Sequence, residues 1–527
     1  MACARVMSSP GLLALIINEF ERNDLPVPAL VCRRWSSIAR DAIWRHIENP
    51  LELFSLLAPL ETVEGRLEFQ RTPSYLDWQR FQPLARRVRS FTATLHASSS
   101  DTNIAHLLHV LKSTCPYESI FPHLEELVWH NHDEPDGYPE LICVFLTATV
   151  KSLKIFTPTG SSRYSVEILS EDVAGRCPNL ESLHIEPVNH AYATTLEPAL
   201  IQLIQRLPLK SIRLPLYFLT PRVLAATSDC KDLQVIEVGV NRSDQSHNWS
   251  YARGFPDVLL HALSSSSLQS LGLAIPLMEM NALLVRDPSH LRFIHRLSVR
   301  AVGMTKRDVM RLFCETISKR CTHLRELLLV TNRPSRETRH SRWEKTPGSE
   351  AITLETLLPL SELGTLTYLE LSHEHPVLLT DEELLALVTP LPRLEVLLMN
   401  ECPANLTKPN LTMNCLPHLA RALPNLRELG VCLDLSERVP DGPSPNRFQS
   451  LKLLCPHFSP VKKGHEEDVA LFISTLLPLR GGIEDADAED RPDRSFDVIL
   501  TQPPTAGVWR KIRGHVDLIM RGREWNA

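Results

Sequence analysis

The amino-acid sequence predicts an α/β fold in which a short helical module precedes a long array of strand–loop–helix repeats. An apolar hexad of the form Leu-x-x-Leu-x-Leu, with other apolar residues allowed, recurs along most of the 527 residues. Stretches with apolar residues at three- and four-residue spacing lie between the hexads, and this is the pattern of an amphipathic helix. The first 50 residues carry three short helical patterns instead.

The spacing of the hexads is typical of a known repeat class. Their middle residues advance by about 29 positions per copy from Leu127 to Leu451, at the long end of the range for leucine-rich repeats. We therefore predict a leucine-rich-repeat solenoid of about 12 irregular repeats over residues 121–480. The clear copies start at Leu124, Leu180, Leu233, Leu268, Ile294, Leu324, Leu366, Leu394 and Leu426. Weaker copies start at Val150, Leu209 and Phe448, and Val88–Phe91 is a degenerate first copy.

The hexad has a physical reason if it forms a strand. Strand residues alternate between faces, so the last two apolar members of each hexad point the same way. One repeat leaves its apolar side uncovered, and stacking the next repeat buries it at roughly 1.5–3 kcal/mol per leucine-sized side chain. The hexads thus predict a curved parallel sheet inside and helices outside. The alternative, unrelated leucines in an ordinary α/β protein, requires every hexad to be a coincidence.

Helices are predicted between the strands. Thr380 followed by Glu383 is the pattern of a capping box at a helix start. Several helices are expected to end at Leu-Pro, because proline cannot continue a helix. The predicted segments are Glu197–Leu207, Thr305–Arg320, Thr380–Leu391, Asn414–Leu423 and Glu466–Leu477.

The N-terminal module is predicted as three short helices. Apolar residues place one helix at Pro10–Phe20, a second at Pro28–Arg40 and a short third piece over residues 42–47. Asn23-Asp24-Leu25-Pro26 separates the first two. Such a small module cannot bury enough surface to be robust alone. It should either pack on the solenoid or be completed by a partner.

The second half of this module resembles an F-box. The resemblance is carried by Leu30-Val31-Cys32-Arg33-Arg34-Trp35 and by Ala39-Arg40-Asp41-Ala42-Ile43-Trp44-Arg45, with Asp24-Leu25 at the usual turn between helices. The first half departs from the family, which normally opens Leu-Pro-x-Glu, because Ser9-Pro10-Gly11-Leu12 keeps only the proline. The resemblance covers roughly residues 8–48, and irregular leucine-rich repeats after an F-box are a familiar family arrangement.

The resemblance implies that the module binds a Skp-family adaptor and, through it, a cullin. The residues expected to contact the adaptor are Pro10, Leu12, Ile16, Leu30, Val31 and Trp35. Trp35 equally fits the module's own core. The implied function is that of a substrate-recognition subunit of a Skp–cullin–F-box type ubiquitin ligase in the cytoplasm, the nucleus or both. The alternative is a stand-alone leucine-rich-repeat scaffold or inhibitor whose N-terminal helices merely cap the solenoid.

Four regions are predicted along the chain. Residues 1–50 form the F-box module, and residues 51–120 form a helical linker or cap with the degenerate first repeat. Residues 121–480 form the solenoid. Residues 481–527 hold an acidic, solvated linker at 484–490 and a helix over Val508–Met520 that is expected to cap the array.

The sequence offers no catalytic motif, so the chain is predicted not to be an enzyme. Phosphate-binding glycine motifs and a Gly-x-Ser-x-Gly nucleophile motif are absent from the 527 residues. Histidines cluster at 130–134 and 373–375, but neither cluster has a convincing set of zinc ligands, so no metal and no cofactor are predicted.

A net charge of −6 argues against nucleic acid or an acidic membrane as a partner. Cys177, Cys230 and Cys321 precede hexads and are expected to be small buried apolar residues.

Long polar insertions follow several hexads and are the predicted place for target recognition. All begin just after a strand, so they should project from one edge of the stack, where recognition loops commonly lie. The insertion 331–350 is rich in basic residues and suits an acidic or phosphorylated segment. A mobile surface loop is the plain alternative. The candidate target-binding residues are Arg333, Arg336, Arg339, Arg342 and Trp343.

Overall fold

The computed structural model describes most of the chain, which divides into two compact units, residues 1–233 (unit 1) and residues 234–527 (unit 2). This division falls inside the region predicted as the solenoid. The structure describes all residues except 1–8, 21–23, 64–65, 96–104, 132–138, 157–163, 187–192, 216–217, 239–267, 287–290, 302–304, 332–350, 374–376, 401–408, 437–438, 441, 443, 445, 457–458, 479–481, 484–505 and 526–527.

Unit 1 contains a parallel sheet whose strands follow one another in chain order, plus one separate hairpin. The sheet strands are β1 (His46–Ile47), β4 (Ser90–Leu95), β5 (Glu126–Asn131), β6 (Ser152–Phe156), β7 (Ser182–Glu186) and β8 (Ser211–Leu214). The hairpin pairs β2 (Leu60–Val63) antiparallel with β3 (Arg66–Phe69).

Unit 1 also contains helices, and those between its parallel strands supply the crossovers that such strands require. The helices are α1 (Pro10–Asn18), α2 (Pro26–Ala29), α3 (Arg33–Arg45), α4 (Pro50–Phe54), α5 (Tyr75–Ala85), α6 (Ala105–Thr114), the 3-10 helix η1 (Pro139–Val144), α7 (Tyr164–Arg176), α8 (Ala193–Arg206) and α9 (Pro221–Thr227). From α6 onward, each of these helices packs against the next along the chain.

Unit 2 has the same organisation. Its parallel strands are β9 (Val235–Val238), β10 (Ser270–Ile275), β11 (Arg296–Ala301), β12 (Glu326–Thr331), β13 (Tyr368–Ser372), β14 (Val396–Met399), β15 (Glu428–Val431), β16 (Leu453–Cys455) and β17 (Gly482–Ile483). Its helices are α10 (Leu277–Arg286), α11 (Arg307–Arg320), α12 (Leu354–Leu357), the 3-10 helix η2 (Leu358–Glu362), α13 (Asp381–Val388), α14 (Cys415–Ala422), α15 (Glu466–Leu476) and α16 (Ala506–Trp525).

The middle apolar residues of the hexads pair in register across neighbouring strands. Leu127, Leu153 and Leu183 form one such row in unit 1, and each is 1% exposed or less. Leu297 and Leu327 belong to the corresponding row in unit 2 and are equally buried. We call each strand with the turn before it a rung. The predicted ladder of consecutive parallel rungs is confirmed within each unit, and each unit is a solenoid-like α/β stack.

One backbone hydrogen-bond pattern recurs in the turns before most rungs. In unit 1 the Glu125 carbonyl accepts from the N–H groups of Lys151 at 2.8 Å and Ser152 at 3.0 Å. In unit 2 the His295 carbonyl accepts from Arg325 and Glu326 in the same way, at 2.7 and 2.9 Å. Because this pattern needs no particular side chain, it keeps the rungs aligned while the connections between them vary in length.

The N-terminal helices differ from the prediction. The segment expected as a helix over Pro28–Arg40 is a single turn at Pro26–Ala29 followed by α3, and the predicted third piece is the end of α3. Ile47 lies in β1, where it pairs with Phe91. The segment 51–120 was expected to be helical, yet it also contains the β2–β3 hairpin.

Both ends of the predicted ladder need correction. The degenerate copy Val88–Phe91 is a full rung, since Phe91 is buried and pairs with Leu127. The last predicted copy was placed with Leu451 at its middle, but Leu454 is the residue that pairs with Leu429. Leu451 instead takes the first position of that rung. Gly482–Ile483 adds a further strand that the hexads did not predict.

Several local predictions are confirmed. Thr380 and Glu383 form the capping box of α13, with the Thr380 N–H donating to Glu383 Oε2 at 2.9 Å. The C-terminal helix α16 packs on α15 through buried residues that include Trp509, whose Nε1 donates to the Ser459 carbonyl at 3.1 Å. Cys177, Cys230 and Cys321 are buried.

Candidate protein-binding surface

The N-terminal helices share a small apolar core of their own. Leu13 and Ile17 of α1 are fully buried against Leu25 and against Ala39 of α3. Trp35 is half-buried and packs on this core, together with Ile38, Ala42 and Ile43. Trp35 therefore contributes to the stability of the module, which is one of the two roles that the sequence left open for it.

The same module also presents apolar side chains to solvent. Leu30 is 87% exposed, Val27 is 69% exposed and Val31 is 60% exposed. Of the 17 large apolar side chains that are exposed among the described residues, six lie between positions 12 and 31, so they are concentrated in this module. Such concentrations mark interaction sites more often than scattered exposed leucines do. We call this set the N-terminal apolar surface: Leu12, Leu15, Phe20, Val27, Leu30 and Val31.

The structure separates the predicted adaptor-contact residues into two groups. Pro10, Leu12, Leu30 and Val31 are exposed. Ile16 is partly buried, and Trp35 packs on the core. Sequence reasoning missed Leu15, Phe20 and Val27 as members of the exposed set. For Leu15 the signal was present, because α1 is apolar on nearly every side. Its core needs only Leu13 and Ile17, four residues apart, so the other apolar residues remain outside.

The module is attached directly to the sheet of unit 1. Helix α3 runs into β1, and the Arg45 carbonyl accepts a hydrogen bond from the Arg89 N–H at 2.9 Å, as in the turns before the later rungs. Arg87 forms an ion pair with Asp41 and donates to the Ser37 carbonyl at 3.3 Å, and both acceptors lie on α3. The N-terminal apolar surface is thereby tied to the first rung.

A second surface lies on the sheet face of unit 1, opposite the buried row of leucines. Val128, Lys154, His184 and Arg213 are in register on β5 to β8. Strand alternation turns them away from the buried Leu153 and Ile155, and most retain partial exposure. We call the polar and aromatic side chains here the β5–β8 face cluster: Glu126, His130, Lys154, Phe156, His184, Glu186 and Arg213.

The β5–β8 face cluster is held by ion pairs and ring contacts. Lys154 Nζ lies 3.1 Å from Glu126 Oε1, and His184 Nε2 lies 2.6 Å from Glu186 Oε1. The His130 ring stacks on Phe156 with centroids 4.1 Å apart, and Phe156 meets His184 edge to face at 5.6 Å. Burial lowers the pKa of His184, although Glu186 opposes this effect.

The predicted target-binding loop lies outside the described residues. Thr331, at the end of β12, is buried, but Arg333, Arg336, Arg339, Arg342 and Trp343 all fall within 332–350. Their role stays a prediction. Of the two histidine clusters, His130 belongs to the β5–β8 face cluster, and His373 is buried beside Asn400, whose Oδ1 accepts from the His373 N–H at 3.1 Å.

Metal sites and membrane spans can be assessed only over the residues that the structure describes. Within them, no three His, Cys, Asp or Glu side chains are grouped closely enough to hold a metal ion. Over the same ranges, every helix falls short of the length and apolar character needed to cross a bilayer.

Comparison of the sequence with models of protein families and with curated proteins finds no match.

Proposed function

We propose that this chain is the substrate-recognition subunit of a Skp–cullin–F-box type ubiquitin ligase. In this role the N-terminal helices act as an F-box that binds a Skp-family adaptor and, through it, a cullin. The leucine-rich repeats hold a target protein. Ubiquitin transfer then depends on proximity between the target and a recruited enzyme, and this chain donates no catalytic group.

The observation that carries the proposal is the N-terminal apolar surface. A module with so small a core exposes leucine and valine side chains that a partner would cover, and covering one leucine contributes roughly 1.5–3 kcal/mol. The F-box resemblance falls on the same residues, since Leu30 and Val31 open its most specific string and both are exposed. The attachment of α3 to β1 supports the proposal further, because it would hold adaptor and target at a fixed spacing.

Co-purification of the full chain with a Skp-family adaptor and a cullin tests the proposal. Substituting Leu30→Ala together with Val31→Ala should weaken adaptor binding by about 2 kcal/mol or more, or roughly 30-fold, as for exposed anchors at other interfaces. These two side chains are better targets than Trp35, whose loss would also destabilise the module. Leu76→Ala is the matched control, since Leu76 is 61% exposed on α5 in the same unit. Unchanged binding in the double variant would reject the docking assignment.

A stand-alone scaffold or inhibitor is the second candidate, and one observation favours it. Strand β1, which directly follows the N-terminal helices, pairs with β4 and so covers the edge of that strand. Removing the helices together with β1 would destabilise unit 1 under either function, so truncation cannot distinguish the two. The surface variant of Leu30 and Val31 can, because a cap needs no exposed apolar face. A scaffold would show no adaptor binding and no effect of these substitutions on the capture of its target.

A further inference from the structure

The charges of the β5–β8 face cluster are arranged unevenly with respect to solvent. The Lys154 side chain is 41% exposed, whereas Glu186 is 19% and His184 is 10% exposed. Glu126, which pairs with Lys154, is 35% exposed. Both carboxylates are paired within this chain, Glu126 with Lys154 and Glu186 with His184, and the Lys154 side chain is the most exposed of these four.

Two cations flank one buried imidazole in the same row. Lys154 on β6 and Arg213 on β8 are the register neighbours of His184 on β7. Strands lie about 4.8 Å apart, so the two cationic residues start about 10 Å from one another. Both side chains are long enough for one carboxylate above His184 to contact both of them. Lysine has three donors and arginine five, so Lys154 can donate to this carboxylate while it keeps Glu126, and Arg213 can donate to it beside its own existing interaction.

The row next to these cations leaves room for a polypeptide backbone. Ser152, Ser182 and Ser211 are in register on β6, β7 and β8, and each is partly exposed. Their small side chains allow a main chain to approach the sheet face, and each hydroxyl can donate or accept a hydrogen bond. On the other side of the row, the His130 ring stacks on Phe156, and Phe156 in turn contacts the His184 ring of the row edge to face.

From this arrangement we infer that the β5–β8 face binds an extended, acidic and unphosphorylated segment of the target polypeptide, with one carboxylate over His184 between Lys154 and Arg213. The inference rests on the proposed function, in which the repeats hold a target. Phosphorylated segments are generally recognised by clusters of arginine, and Arg213 is the one arginine in the described part of this row, which favours a carboxylate.

Binding of labelled peptides to the full chain tests the inference. The acidic probe is a short fluorescent peptide in which Glu alternates with Gly. Its counterparts carry Lys, phosphoserine or Gln at the Glu positions. The acidic peptide should bind best, with an affinity that falls as salt is raised. Lys154→Ala with Arg213→Ala should weaken it about tenfold. Lys151→Ala is the matched control. Lys151 is an exposed cation only three residues before Lys154 but lies outside the β5–β8 face cluster, so its loss should leave the affinity for the acidic peptide unchanged.

Charge reversal keeps the test informative if the alanine variant is damaged. Lys154→Glu with Arg213→Glu should shift the preference to the lysine peptide, and a misfolded protein cannot produce this gain. Equal binding of all peptides, a preference of the natural chain for the lysine peptide, or a requirement for phosphoserine would each overturn the inference.

The pH dependence of binding provides a second readout. Burial, Lys154 and Arg213 hold the pKa of His184 below its usual value, and Glu186 acts in the opposite direction. Glu126 and His130 are the other titratable groups of the cluster. A carboxylate placed over His184 favours the charged imidazole and so raises this pKa in the bound state. Binding would then take up a proton, and affinity should increase as pH falls from about 8 to about 6.

The His184→Gln variant isolates this effect, since it should bind the acidic peptide with an affinity that no longer depends on pH in this range. A pH dependence that survives in the variant would exclude His184 as its source. These peptide measurements use the chain without any adaptor. If the acidic peptide does not bind while the adaptor does, only the inference about the β5–β8 face is rejected. If the natural chain does not bind the adaptor at all, the proposed function itself is rejected.

Discussion

The described cysteines differ in how far they are buried. Cys32 is exposed at the start of α3, whereas Cys177, Cys314 and Cys321 are buried. Burial raises the pKa of each of these three thiols to about 12. A thiol with so high a pKa is almost entirely protonated at neutral pH, and the thiolate is the reactive form.

Thiol titration of the native chain checks this distinction. With an aromatic disulfide reagent at about pH 8, Cys177, Cys314 and Cys321 should react only after unfolding. Cys32 should react in the native state, so the Cys32→Ser variant should lose one fast-reacting thiol. Rapid reaction of the three buried cysteines without denaturant would show that both units open readily.

The capping box of α13 is a second test at the scale of single residues. Thr380→Ala removes the hydroxyl that accepts from the Glu383 N–H and leaves that donor without its partner. We expect a loss of about 1 kcal/mol in the free energy of unfolding, the usual value for a helix N-cap. Urea unfolding measures it. Thr322→Ala, at an exposed position of the same unit, serves as the control and should change stability little.

At the scale of elements, the row of buried apolar residues that runs across neighbouring rungs contributes most to the stability of the stack. Leu327→Ala on β12 should destabilise unit 2 by about 2–5 kcal/mol, because it removes buried methyl groups and leaves a cavity. Leu312→Ala on α11 should cost far less, since Leu312 is 45% exposed. Urea unfolding followed by circular dichroism compares the two variants. Equal losses would mean that the row is not the core of the stack.

The hexads located most rungs but not their limits. Leu451, Leu453 and Leu454 offer two overlapping patterns, and the sequence alone gives no reason to prefer one. The choice is made by backbone pairing, which sets Leu454 against Leu429. The strands at Ile47 and Ile483 escaped prediction because each is only two residues long and lacks the full hexad.

At the scale of the whole molecule, the N-terminal module is both an attachment and a surface. Deleting residues 1–49 would remove β1 and uncover the edge of β4, where Phe91 is otherwise buried. We expect this truncation to lower the urea midpoint of unit 1 and to promote association through the open edge. The Leu30→Ala and Val31→Ala variant should retain the natural midpoint, since both side chains are exposed. A truncated chain as stable and soluble as the full one would contradict the structural role of β1.

The amino-acid sequence by itself determined the repeat, because a buried row of leucines leaves a periodic trace wherever strands stack. It also indicated a separate N-terminal module, through helical patterns that differ from the hexad. Tertiary structure decided which apolar residues of that module face inward, since Leu12 and Leu13 are adjacent in sequence and identical in chemistry. It also decided that Lys154, His184 and Arg213 meet on one face. Residues about 30 positions apart become neighbours only when the backbone fixes the register between strands.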